Sequence, residues 1–425
     1  MAEIDPAHRG ELVRVLGLIA NGAVGAPFAP SQLPDTHFTR FVIIDDDQGD
    51  GELPALLAWE SNHDQREEPY LRACAAAVPQ LDAIFGCCRG YPDGGATGDV
   101  EGWLAWIRAR SLRSAAFYTG YRGVSKQRVD NDHAVHQAIR ATLDAPGARA
   151  ALSALPQPDM IRAAIATTVA RAQPALQLDP QADQTSRWQI TKLLAIAVVV
   201  LLLPILVVAV PLWYWQLRKH EESDPRPDGA SRPVHDDAHY QDDEDVYAQN
   251  QLTHLVDIKP GWFRLVTAWA VLTGIDILAS CVYIDGELGG ITSIHFARWV
   301  ILLDKRESSD IPAGSHRRHR LLFFSNYDGS WESYLGEFVD RASSGLTAVW
   351  SNTVDFPYTQ KLTQLGSRDE EAFKQWTRDH QIRTQVWWTG VPMSSVQNVR
   401  DDLDIRASLA RAQDPEEATS WLMRL

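Results

Sequence analysis

Two short segments carry the side chains with the most chemical reach. His37-Phe38-Thr39-Arg40 and His295-Phe296-Ala297-Arg298 repeat one pattern, a histidine three residues ahead of an arginine, each followed by four β-formers. An imidazole can carry a proton near neutral pH, and a guanidinium can hold an anion in a fixed fork. Side chains alternate along a strand, so this spacing places the His and the Arg of one segment on opposite faces. Two readings follow. In one, the His closes the sheet edge and the Arg pairs with a carboxylate on a helix layer. In the other, one of the two faces an interior where its duplicate converges on it across a pseudo-twofold axis. Asn62-His63-Asp64 and Asn326-Tyr327-Asp328 form a second such set. Asn and Asp there either bond their own backbone in a turn or form a polar site at the mouth of the fold. A third set, His133 and His136, has no counterpart pair in the second copy. These histidines either begin a solvated helix or ligate a cofactor. Two histidines alone fall short of a metal site, although Asp130 or Asp132 could complete one, and no metal is assigned.

The elements that must position these residues are themselves duplicated. Asp64 matches Asp328, and Ser61, Glu68 and Tyr70-Leu71 match Ser325, Glu332 and Tyr334-Leu335 at the same offset of 264. At an offset of 270, Trp106, Arg108, Arg113, Thr119-Gly120, Ser125, Gln127 and Val129 match Trp376, Arg378, Arg383, Thr389-Gly390, Ser395, Gln397 and Val399. Ordered matches of this density indicate a tandem duplication. Each copy reads as a strand led by the histidine and a second strand over 54–61 or 320–325. A helix follows, over 67–85 or 331–342, then a third strand near 83–88 or 346–352. A short helix carries Trp106 or Trp376. The last strand covers 113–119 or 383–389, and a closing helix 125–143 or 395–410. This order predicts an α+β fold of two tandem ferredoxin-like repeats pairing as an α/β barrel, plus a membrane-inserted helix.

The chain has 425 residues and a net charge of −15, with ten acidic residues in 221–247. No basic stripe is present, which argues against nucleic acid as a partner. Leu193 to Trp215 is 23 residues without a charge, closed by Trp213, Tyr214 and Trp215, long enough for a bilayer-crossing helix. Pro204 and Pro211 would bend it. A second apolar stretch, 262–284, is interrupted only by Arg264 and Asp276 and reads as docking on the membrane rather than spanning it. The expected organisation is repeat 1 over 1–150, a helical connector over 151–187 and a membrane helix over 188–217. An acidic disordered linker over 221–250 and repeat 2 over 256–425 complete it. The N-terminus lacks the basic start and apolar run of a signal peptide, and the four cysteines fit neither a metal spacing nor a disulfide framework. A membrane protein with both repeats facing the cytoplasm is expected, in contact with lipid and with an apolar small molecule or a protein partner.

Ile294 to Val300, Phe324-Ser325-Asn326-Tyr327-Asp328-Gly329 and Ala348-Val349-Trp350-Ser351-Asn352-Thr353 resemble the motifs of a family of uncharacterised bacterial membrane proteins. The resemblance covers most of the chain and implies no activity. More distantly, the tandem layout looks like the dimeric α/β-barrel superfamily, which includes dye-decolourising peroxidases and chlorite dismutases. That likeness implies an oxidative enzyme, with haem as cofactor and an apolar substrate from the bilayer. Asp64 and Asp328, with Arg40, Arg298, His37 and His295, would then line the catalytic site. His133 or His136 would be the axial ligand. The peroxidases' Gly-x-x-Asp-Gly motif survives only as Asp328-Gly329, and His63-Asp64-Gln65 loses even the Gly. The alternative is a non-enzymatic membrane module that binds a lipid or a partner protein.

Overall fold

The structure is a computed structural model. It describes residues 1–46, 53–178, 185–224, 248–283, 287–307, 309, 311, 315–410 and 414–425. The strands are β1 (Ala2–Glu3), β2 (Thr36–Ile44), β3 (Leu56–His63), β4 (Ala116–Thr119), β5 (Gln249–Asp257), β6 (Ile294–Leu302), β7 (Arg320–Asp328), β8 (Thr359–Gln360), β9 (Gln364–Leu365) and β10 (Val386–Thr389). The helices of the first half are α1 (Arg9–Ala20), α2 (Glu67–Ala77), α3 (Asp82–Phe85), α4 (Gly95–Gly98), α5 (Val100–Arg110), α6 (Lys126–Asp144), α7 (Ala148–Ser153) and α8 (Pro158–Ala172). They are followed by α9 (Thr185–Ser223), α10 (Trp262–Cys281), α11 (Trp331–Trp350), α12 (Glu370–Asp379), α13 (Val396–Ala410) and α14 (Pro415–Leu422).

The class is α+β with antiparallel sheets. One four-stranded sheet runs β1-β3-β2-β10, the other β4-β6-β7-β5. Each takes its last strand from the other half of the chain: β10 pairs with β2, Val386 opposite Phe41, and β4 pairs with β6, Ala116 opposite Trp299. The exchange leaves room for one glycine pair only. A Cβ on Gly120 would meet Ile294 O at 2.4 Å, and one on Gly390 would meet Thr36 O at 2.3 Å. At these positions the swapped strand turns off against the backbone of its host.

β2 is buried along its whole length, so its apolar run serves two cores. Phe41 and Ile43 join α1, α2 and α5 in one, with Leu12, Leu16, Leu71 and Trp103. Val42 and Ile44 meet Val300, Leu302, Leu322 and Phe324 of the other sheet. The two sheets therefore lie face to face. Their ladders do not close into a barrel, which corrects the expected closed form. On one side isolated backbone bonds link them, Leu255 N donating to His380 O and Ile382 N to Thr253 O.

Several expected boundaries move. The third strands are helical: 82–85 is α3, and α11 runs on to Trp350 with a kink at Ala342. A five-residue apolar run fits a buried helix turn as well as a strand. The first long helix stops at Ala77 because Pro79 lies two residues on. β5 begins within the span assigned to the acidic linker. The start of that span is also ordered: Glu221 is buried and accepts from Lys361 N and Leu362 N, and Asp224 pairs with Lys259 and Arg264. The remainder, 225–247, lies outside the described residues.

Candidate functional site

The site starts from a backbone irregularity. The β2–β3 register shifts between Thr36 and Phe38, and the β6–β7 register shifts between Ile294 and Phe296. Each bulge carries the histidine as its extra residue, and a bulge re-aims side chains that strict alternation would separate. His37 thus packs against Phe296 at 5.5 Å, and Phe38 against His295 at 5.0 Å. This corrects the expectation that His and Arg take opposite faces.

Each histidine is tied to the aspartate of its own half. His37 Nε2 donates to Asp64 Oδ1 and His295 Nε2 to Asp328 Oδ1, both at 2.8 Å. The second carboxylate oxygen accepts a backbone N–H at the start of the closing helix, Lys126 N on Asp64 and Val396 N on Asp328, both at 2.7 Å. An anion at a helix N-terminus satisfies an orphan donor and meets the positive end of the dipole. The His–Asp pairs therefore fasten α6 and α13 to the sheets. The copies differ in one respect: Tyr121 OH bonds His295 Nδ1 at 3.2 Å, whereas Val391 stands at the matching position and His37 Nδ1 is buried without a hydrogen-bond partner. Burial pushes the Tyr121 hydroxyl well above its ordinary pKa.

The arginines meet between the sheets. Arg40 is fully buried. Its Nε donates to Glu60 Oε2 at 3.1 Å, and its fork reaches Leu252 O at 3.0 Å, Ser325 O at 2.9 Å and Asn326 Oδ1 at 2.6 Å in the opposite sheet. Arg298 reaches back to Asn62 Oδ1 at 3.3 Å and lies 3.9 Å from Glu60 Oε1. One buried carboxylate thus stands between two duplicated arginines, and its own counterpart in repeat 2 is Phe324. The expected helix-layer partner is instead a strand residue. Burial, partly offset by Glu60, pulls the Arg40 pKa down.

His133 and His136 sit on α6 and bond one carboxylate on α13: Asp402 Oδ2 lies 2.9 Å from His133 Nδ1, and Asp402 Oδ1 lies 2.6 Å from His136 Nδ1. The arrangement is reciprocal. Asp132, at the position matching Asp402, pairs with Arg406, at the position matching His136, at 2.6 Å. These residues tie α6 to α13 above an apolar layer of Val135, Ile139, Ile405 and Leu409. Neither histidine is among the walls of the cavity beside β3 or of the cleft between α10 and α11. Among the described residues no group of three or more metal-ligating side chains occurs.

A cavity of about 650 Å³ opens beside β3 in the first half. Trp59, Glu60, His63, Tyr70, Arg113 and Arg298 are among its walls. His63 stacks on Tyr70 at 3.6 Å, and burial together with Arg298 lowers its pKa to about 4. A smaller apolar cleft of about 300 Å³ lies between α10 and α11, walled by Ile275, Leu278, Leu288, Phe338 and Val349. Arg108 is held by Glu68 at 2.6 Å and Arg378 lies over the Trp331 ring at 3.9 Å, so both are bound at the surface of their helices.

Among the described residues one helix, α10, is long and apolar enough to cross a membrane. It leaves Trp262, Val266, Trp269, Ile277 and Leu278 exposed. α9 contains the uncharged 193–215 stretch and leaves Val207, Val208, Val210 and Leu212 exposed. The two helices join where Trp213 Nε1 donates to Thr267 Oγ1 at 3.0 Å and His220 stacks on Phe263 at 4.7 Å.

Glu60 and Asp402 were not singled out from the sequence, and Asp132 was named only as a possible companion of His133 and His136 at a metal site. Glu60 ends the apolar run Leu56-Leu57-Ala58-Trp59 inside its strand, and a charge at that point was the signal. The chain matches no protein-family model, no curated protein and no solved structure.

Proposed function

We propose that the protein is a non-enzymatic binding module docked on a membrane, built from two ferredoxin-like repeats whose sheets pack face to face. The observation that carries this reading is the employment of the duplicated polar residues. His37, His295, Asp64, Asp328, Arg40 and Arg298 all bond within the fold, either to a helix N-terminus or across the sheets. Residues held in this way build a scaffold, which supports a binding module. Lipid contact is supported by the exposed apolar side chains of α9 and α10 and by the apolar cleft beside α10. In this reading both repeats face the cytoplasm. The alternative is the oxidative-enzyme reading, with haem on His133 or His136, whose Nδ1 atoms bond Asp402 and leave Nε2 for a ligand.

The test is flotation of the full chain with liposomes, together with an absorption spectrum of the detergent-purified protein. The reading expects flotation, its loss when Val208 and Leu212 are both changed to Glu, and no Soret band. A Soret band that disappears in His136→Ala would replace it with the oxidative enzyme. A chain that stays with the soluble fraction would remove the membrane.

A further inference from the structure

The two halves differ by one strand. In the second half β5 covers the outer edge of β7 along its full length, from Gln249 opposite Asp328 to Asp257 opposite Arg320. On its far side β5 bonds the segment leading into β10, through His380 O and Ile382 N. β5 therefore fills the space between β7 and that segment. In the first half β1 pairs with β3 only at Leu56 and Leu57. Positions 58–63 of β3 have no outer strand among the described residues. The segment leading into β4, Arg110 to Ser114, stands with them around the 650 Å³ cavity.

The two spaces correspond wall by wall. Trp59, Tyr70, Leu71 and Trp106 line the first, and Phe323, Tyr334, Leu335 and Trp376 line the second. The second holds only about 20 Å³, with Leu252 and His254 of β5 among its walls. The open cavity thus has the position of an absent strand, and an unpaired edge presents backbone donors and acceptors that a further strand can use.

The arginines indicate what such a strand carries. Arg40 takes three acceptors from the β5 segment: Leu252 O at 3.0 Å, Gln251 Oε1 at 3.1 Å and Thr253 Oγ1 at 3.1 Å. Arg298, its counterpart, has Asn62 Oδ1 at 3.3 Å and a buried Nε with no hydrogen-bond partner. Arg108, Arg110 and Arg113 also line the cavity, against Glu60 and Glu67. We propose that this cavity takes an extended peptide strand from a partner protein, added antiparallel to the edge of β3, with an acidic or amide side chain opposite Arg298. Main-chain bonds to β3 give the affinity, and the Arg298 position gives the selectivity. The inference rests on the binding-module reading and names its partner's chemistry.

The experiment uses the full chain in detergent micelles and a labelled nonapeptide with the β5 sequence, residues 249–257, or its Gln251→Glu version. Saturable binding is expected, with slowed amide exchange confined to 58–63 and the facing 110–114 segment. The Glu peptide should bind more tightly. Arg298→Gln should weaken binding tenfold or more, and a peptide N-methylated at alternate residues should not bind. Unchanged exchange at 58–63 in the unaltered protein would overturn the proposal, whether or not Arg298→Gln folds. Equal binding of the N-methylated peptide would overturn it as well. So would inorganic phosphate that displaces the peptide competitively while itself leaving exchange at 58–63 unchanged, which would mark a small-anion site. Flotation with liposomes is read separately, so failure of peptide binding leaves the membrane reading standing, and the reverse.

Discussion

Glu60 neutralises a guanidinium that has no route to water. Removing one partner of a buried ion pair leaves an uncompensated charge, which costs about 3–5 kcal/mol. Glu60→Ala is therefore expected to lower the unfolding free energy measured by urea titration by that much without changing the transition's slope; a loss under about 1 kcal/mol would mean that Asn326 and the carbonyls suffice for Arg40. His63 gives a pH signature. Its folded pKa of about 4 lies below the ordinary 6.5, so between those values the unfolded state binds the proton and the folded state does not. Stability should thus fall as pH drops from about 6.5 to 4, by at most about 3 kcal/mol from this group, and level off below. His63→Tyr copies the stacked Tyr327–Tyr334 pair of the second half, whose rings lie 3.7 Å apart. Urea titrations across this range should show a shallower slope in the variant, and an unchanged slope would assign the effect to another buried group such as His254.

Much of the element pattern was legible. The histidine-led strands, the second strands and the closing helices fall within a few residues of their expected positions, because apolar periodicity and turn residues encode local structure directly. The exchange of β4 and β10 was not legible, since a four-residue strand such as Ala116–Thr119 suits either sheet equally. β5 was missed because its Gln-Asn-Gln start continues the polar character of the acidic segment before it. At the site, the sequence misjudged the geometry: strict alternation separates His37 from Arg40, and only the bulge undoes this. The Asp402 link between α6 and α13 needed the helices side by side. The exchanged strand itself can be tested through Gly390, whose N–H donates to His37 O at 2.6 Å. Gly390→Ala should push β10 off β2 and destabilise the fold by more than about 1 kcal/mol, since the added methyl meets backbone rather than a movable side chain. A neutral result would show that the turn can open without cost.

At the scale of the molecule, strand exchange makes the halves inseparable. Cleavage at a protease site placed between residues 225 and 247 should leave 1–224 and 248–425 together on gel filtration in detergent; separation would show that the shared ladders add little. Both halves must also lie on one side of any bilayer, so tags at the two ends should share the same protease accessibility in sealed vesicles. Opposite accessibility would be incompatible with the β2–β10 ladder. The same ladder places a demand on biosynthesis. Ile44 ends β2, but its neighbour strand is not complete until Thr389 has been made. At ~5–20 residues per second the ribosome needs roughly 20 to 70 s for that interval. For all that time the nascent first half holds a bare, apolar sheet edge while the 193–215 segment has already emerged. Premature pairing with a neighbouring copy is the hazard of this order of synthesis, and a chaperone or the translocation machinery must keep polysome-borne chains apart until the last quarter is translated.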